Sequence, residues 1–457
     1  MDRLFLGSIV HCKSFNELET IENGFIAVKN SKIAAIGNRS NIPVDLLNSL
    51  PVFELTQHQF LLPGFIDCHI HAPQYPNLGI GLDLPLLQWL KTYTFPLEYN
   101  YKDKGFAQKV YESVIRRTIQ CGTTTATYFA TNYKESSLIL AEEATKQGQR
   151  AFIGKVCSDR LTPDYYIETT SMSLQDTEQF IDNVLKLKNP LVQPIITPRF
   201  ALSCSNDLLN GLGKLAAKYD LNIQSHISEN LKEIDAVKDM CGVKTYANAY
   251  KNANLLTSKC VLAHGVHLDD DELRMLKKFG TSIAHCPTSN TKLRSGICDV
   301  RRILEAGIKV GLGTDVAGGN SVSMLMAIQD ALNVSHCLNI IKKQHIMGSG
   351  HIAECDQVQN KNYEPLEYKN ALYLATLGGA EALALQEKCG NFEVGKEFDA
   401  LLIDISVDPL EVFDIPLNPD ESIKQQSRLE RMVQKFLYAG DDRNIWKVFV
   451  AGKEIKN

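Results

Sequence analysis

Eight apolar, β-branched runs recur through the middle of this 457-residue chain, at 65–71, 122–129, 150–157, 191–198, 221–227, 260–265, 281–287 and 308–315. Helix-patterned segments separate most of them, the plainest being Asn206 to Tyr219 and Asp269 to Phe279. The second of these opens on acidic residues and stops near Gly280, the polarity a helix dipole favours. Eight β/α units over about 320 residues fit the upper size range of a (β/α)8 barrel. An open doubly wound sheet would more naturally have five to seven strands and a Gly-rich first turn, and no G-x-G-x-x-G follows the first run. The predicted fold class is therefore α/β, a TIM-like (β/α)8 barrel.

The two ends differ from this middle. Phe25-Ile26-Ala27-Val28 and Ile33-Ala34-Ala35-Ile36 flank Lys29 to Lys32 and predict a hairpin. Ala400 to Ile403 and Val448 to Lys453 predict further strands near the other end. Neither end has enough strands to close a sheet alone. The expectation is a small β-sandwich domain built from both, 1–62 plus 387–457, attached to a barrel spanning 63–386. One stretch breaks the alternation: 341–365 is polar and patternless and holds His345, His351 and Cys355. It reads as an inserted surface loop, because that spacing matches no zinc module.

Composition excludes several classes. A net charge of -5 gives no basic surplus for nucleic acid phosphates. The twelve cysteines include no Cys-x-x-Cys, which argues against a Cys-rich zinc module or a redox dithiol. Reduced thiols in a cytoplasmic protein are expected. Met1 to Leu6 lacks a signal peptide's apolar segment, and no run approaches 18 consecutive apolar residues, so no membrane partner is expected.

Chemistry-bearing side chains end five of the eight runs. The first ends in His69-Ile70-His71, the fourth in Thr197-Pro198-Arg199-Phe200, and the fifth in His226-Ile227-Ser228-Glu229. The sixth ends in Ala263-His264-Gly265 and the eighth in Gly313-Thr314-Asp315. Residues i and i+2 of a strand share a face, so His69 and His71 can chelate one divalent ion. Singly each residue has a bland explanation: a hydrogen-bonded histidine, a turn-forming aspartate, a solvated arginine. Jointly those explanations fail, because barrel strands all open their C-terminal ends onto one face. Three imidazoles and a carboxylate suit Zn2+ or Fe2+ rather than Ca2+ or Mg2+. Glu229, three residues past His226, is placed to move protons, and Arg199 can grip an oxygen of a planar substrate.

These motifs, with Pro63-Gly64-Phe65-Ile66-Asp67 ahead of the first pair, resemble the amidohydrolase superfamily in its metal-dependent aminohydrolase branch. Longer strings carry the resemblance over nearly the whole chain: His71-Ala72-Pro73-Gln74-Tyr75, Asp83-Leu84-Pro85-Leu86-Leu87, His226-Ile227-Ser228-Glu229-Asn230 and Gly313-Thr314-Asp315-Val316-Ala317-Gly318-Gly319. Ala375 to Ala380, Val394 to Ala400 and Lys435 to Ile445 continue it, whereas 341–365 and Val266-His267 depart from it.

The resemblance implies one Zn2+ per chain, with Fe2+ as the other candidate, held by His69, His71, His226 and Asp315. It implies hydrolytic deamination of guanine to xanthine and ammonia. Asp315 would take a proton from the attacking water, His264 would stabilise the oxygen arriving at C2, and Glu229 would protonate the ring nitrogen and release the amine. His71, Gln74, Leu84, Trp89, Arg199, Phe200, Glu229 and Asp315 would form the substrate site. In it, Gln74 and Arg199 would bind the purine edge, with Leu84, Trp89 and Phe200 as apolar walls. A homodimer is implied as well. The rival readings are a zinc aminohydrolase for another amino-heterocycle (8-oxoguanine, a pterin or a triazine) and a non-catalytic barrel scaffold.

Overall fold

Parallel strands carry the middle of the chain. In the computed structural model, which describes residues 2–343, 345–347, 351–353, 362–413 and 426–456, the mixed α/β fold contains two four-stranded parallel sheets. One runs Val192–Pro194, Arg150–Gly154, Thr123–Phe129, Phe65–His71. The other runs Ile223–Ile227, Cys260–His264, Ser282–His285, Val310–Leu312. A parallel bridge between Ile196 and Ile223 connects them at one side. At the other, Asp315 N donates to His69 O (2.9 Å) and His71 N to Val316 O (3.1 Å). The strands are buried throughout apart from Gln193 and His226, as expected when helices cover one face and packed side chains the other.

Two runs break where one strand was expected. Residues 150–157 divide into Arg150–Gly154 and Val156–Cys157, and 191–198 into Val192–Pro194 and Thr197–Pro198. Pro194 and Pro198 lack the N–H that a continuous ladder needs, and the two second pieces pair with each other. The expected helices form. Ser205 caps Asn206–Tyr219, and Asp269 caps Asp270–Phe279 with a reciprocal bond from Glu272 before Gly280 ends it at φ 69.

Strands from both ends join in one eight-stranded sheet, ordered Lys453–Glu454, Ile445–Val450, Ala400–Asp404, Gln59–Pro63, Arg3–Ser14, Glu17–Lys29, Lys32–Asn38, with Val52–Glu54 beside Arg3–Ser14. The expected hairpin is present, with Val28 opposite Ile33. The expected strand 448–453 is instead two strands turning at Ala451-Gly452, where both residues have positive φ (45 and 71) as a tight hairpin demands. A pair of separate facing sheets is not found among the described strands. The single sheet curls, bringing the Phe5 ring to 5.0 Å from Phe398 and 5.5 Å from Phe449. Arg150, at the start of a central strand, fastens this sheet to the middle of the chain through Asp399 (2.9 Å) and Glu397 (2.7 Å).

Within 341–365 the expected patternless loop contains two short antiparallel strands, His345–Met347 and His351–Ala353. Cys355 lies outside the described residues. No described cysteine is in a disulfide, and no described helix is long and apolar enough to cross a membrane.

Candidate active site

The C-terminal ends of the parallel strands bring His69, His71, His226, His264, Glu229 and Asp315 together. His71 Nε2 lies 3.1 Å from His226 Nε2. Asp315 Oδ1 is 3.2 Å from His69 Nε2 and 3.5 Å from His71 Nε2. Ligand atoms about 2.0–2.1 Å from one ion at near-tetrahedral angles stand roughly 3.3 Å apart, so the separations suit a shared cation. The chemistry of the donors agrees. His69 Nε2 is buried without a well-formed hydrogen bond, and two Nε2 atoms facing each other need something positive between them. His226 Nδ1 donates to Arg199 O (2.5 Å), which leaves its Nε2 lone pair inward. Burial pushes the His69, His71 and His226 imidazoles down. Burial opposes ionisation of Asp315 too, but the neighbouring imidazoles, His69 foremost, hold its carboxyl well below the usual range. Three close donor groups share this centre: His69 with His71 and Asp315, His69 with His226 and His264, and His264 with Cys286 and Asp315.

Backbone features hold these side chains in place. Asp67, at the heart of the first strand, accepts from Thr314 N (3.0 Å) and Thr314 Oγ1 (2.5 Å), which ties the His69 strand to the Asp315 turn. Gly313 packs so closely that a Cβ there would stand 2.9 Å from His69 Cβ. Phe129 closes the cluster from behind, its ring 4.9 Å from His69 and 4.5 Å from His71.

Glu229 and His264 form an acid–base pair beside the donors, with His264 Nε2 3.5 Å from Glu229 Oε2. Burial raises the Glu229 carboxyl. Burial works against the His264 cation, but Glu229 and Asp315 outweigh it and raise His264. Ser295 Oγ donates to Glu229 Oε1 (2.9 Å), and Asn290 Oδ1 accepts from His264 Nδ1 (2.9 Å).

A cavity of about 480 Å3 of empty space, part of it open to solvent, lies over this group. Of the residues expected at the substrate site, His71, Gln74, Trp89, Arg199, Phe200, Glu229 and Asp315 line it. Leu84 does not. Its place is taken by Leu86 and Leu90, which with Trp89 fall on one face of a helical run at spacings of three and four. Asp83-Leu84-Pro85 precedes that helix, and Leu84 is half-buried there. Glu98, Asn290 and Ser295 were not anticipated. Nothing in the sequence marks them, since each is a common residue type whose role depends on a partner 26 to 101 positions away.

Residues 60–455 match the amidohydrolase family model. A guanine deaminase of Mus musculus is 45% identical, over 99% of this chain and 96% of its own. One of Dictyostelium discoideum is 41% identical, over 99% and 98%. The crystal structure of a guanine deaminase from C. acetobutylicum with guanine bound in its active site superposes with a TM-score of 0.87 at 36% identity, covering 99% of this chain and all (100%) of that one.

Proposed function

Since the chain belongs to the amidohydrolase family and guanine deaminases match it over nearly its whole length, we propose that it deaminates guanine hydrolytically to xanthine and ammonia with one zinc ion per chain. The observation that carries this reading is the meeting of imidazole nitrogens and a carboxylate oxygen at ligand-to-ligand spacing in a cavity that Arg199 also lines. On this reading the parallel strands form the (β/α)8 barrel, an interpretation supported by the Asp315 N to His69 O bond between first and last strand regions. The sheet from 1–62 and 387–457 is its accessory domain.

His69, His71, His226 and Asp315 would hold the ion, whose Lewis acidity lowers the pKa of a water to about 7. Asp315, ionised and facing the imidazoles, accepts a proton from the attacking water. His264 offers its Nε2–H to the oxygen arriving at C2. Glu229, raised by burial, gives its proton to the adjacent ring nitrogen, takes one back from the new C2 hydroxyl and passes it to the departing amine, and the proton held by Asp315 restores it. Gln74 and Arg199 orient the ring, and Trp89, Leu86, Leu90 and Phe200 exclude water around it.

The test is ammonia release by the zinc-loaded protein from guanine, adenine and cytosine in parallel. Guanine should be strongly preferred. A preference for adenine would overturn the assignment.

A further inference from the structure

Glu98 is fully buried and absent from the cavity wall, yet both polar residues assigned to the purine edge end on it. Arg199 donates to it twice, Nη1 to Oε2 at 2.5 Å and Nη2 to Oε1 at 3.1 Å. Gln74 Nε2 donates to Oε1 at 3.1 Å. Tyr166 donates its hydroxyl to Oε2 at 3.0 Å, and its own oxygen accepts from Asn132 N, which fixes the direction of the proton. Four donors fill the roughly four acceptor sites of a carboxylate.

This arrangement dictates what the cavity can read. A carboxylate only accepts, so Gln74 must turn its NH2 toward Glu98, and its Oε1 is in turn occupied by Ala317 N (3.2 Å). Arg199 keeps three of its five N–H groups free of protein acceptors among the described residues, and Gln74 keeps one. The edge formed by these two residues therefore presents more donors than acceptors, four N–H groups against the second lone pair of Gln74 Oε1. It also carries no net charge, because the Glu98 carboxylate balances the guanidinium. The face of Phe95, one helical turn from Glu98, holds the guanidinium from the side at 4.9 Å. Guanine's O6 and N7 are both acceptors, whereas adenine places a donor at position 6.

We propose that Glu98 is the specificity-determining positioning residue of this pocket, fixing Gln74 and Arg199 as a neutral, donor-rich edge that selects an oxo-bearing ring. The assignment rests on the guanine reading. It acts through Gln74 and Arg199 and not by touching the substrate.

The test compares wild type with Glu98→Gln on guanine and on 2-aminopurine, which carries the same amine but lacks the oxo group. Glutamine at 98 keeps one acceptor oxygen for four donors, so the bonds that hold Gln74 and Arg199 are partly lost and Arg199 loses its counter-charge. We expect kcat/KM for guanine to fall by about 100-fold or more and that for 2-aminopurine by less than tenfold, out of the roughly 10⁴-fold discrimination such a site supports. Inhibition by urate, an oxopurine that is anionic at neutral pH, should tighten. Equal losses on both substrates, or no loss, would overturn the proposal. If Glu98→Gln does not fold, Tyr166→Phe removes one of the four bonds and should shift the same ratio severalfold; an unchanged ratio there is equally fatal. A wild type inactive on guanine would instead overturn the proposed function, so the two failures are distinguishable.

Discussion

Replacing Glu229 by Gln isolates proton transfer from metal binding. The side chain is 5% exposed and tightly packed, and glutamine has the same shape. Its Oε1 can still accept from Ser295 Oγ at 2.9 Å, so the Ser295 hydroxyl keeps its partner. Glu229 contributes no atom to the close donor groups around His69 and Asp315, and metal content should stay at one ion per chain. What disappears is the carboxyl proton 3.5 Å from His264. General acid–base groups contribute about 10²–10⁴ in rate, and this one serves two proton transfers, so kcat should fall by about 10³–10⁴, or about 4–5.5 kcal/mol of barrier. The assay is xanthine formation from saturating guanine, with zinc measured on the same sample. Loss of zinc, or a kcat within tenfold of wild type, would refute the assignment.

Three other outcomes follow from the geometry. Gly313→Ala places a Cβ 2.9 Å from His69 Cβ; zinc stoichiometry should drop and dissociation in a chelator should quicken, while the far-ultraviolet circular dichroism stays unchanged. Arg150→Met leaves Asp399, 4% exposed, without its cation, and urea unfolding should show a loss of about 3–5 kcal/mol. Burial pushes the Glu233 carboxyl up to about 7, with the Glu229 charge adding to the rise and the Tyr246 hydroxyl opposing it. The folded chain then holds this proton to a higher pH than the unfolded one, so stability present below about pH 4.5 is lost as pH rises toward 7. Glu233→Gln should remove that slope and be the more stable form at pH 8 by about 2–3 kcal/mol in urea titrations, with little difference at pH 4.

Much of this architecture is legible in the sequence because it repeats. Continuous apolar, β-branched runs and capped helices such as Asn206–Tyr219 are local properties, and they recur often enough to define a plan. The donor residues are legible for a related reason: His69, His71, His226, His264 and Asp315 sit at run ends, where strand geometry assigns them a common side. Glu98 has no such marker. It is one acidic residue in a short helix, and only tertiary packing reveals that Arg199, 101 positions away, meets it there. Leu84 fails for a subtler reason: Pro85 starts the helix one residue later, so the rotation that aims Leu86, Trp89 and Leu90 at the cavity leaves Leu84 outside it.

The terminal sheet also constrains synthesis. Leu62 pairs with Leu401, so the strand finished early meets its partner only 401 minus 62, or 339, residues later. At about 5–20 residues per second a ribosome takes roughly 17–70 s to cover that distance. Throughout that interval one edge of Gln59–Pro63, a run of five residues buried in the finished protein, has no neighbour. A nascent chain of this design keeps that edge exposed to edge-to-edge association until the ribosome is nearly done, which makes Gln59–Pro63 a segment for a chaperone to shield.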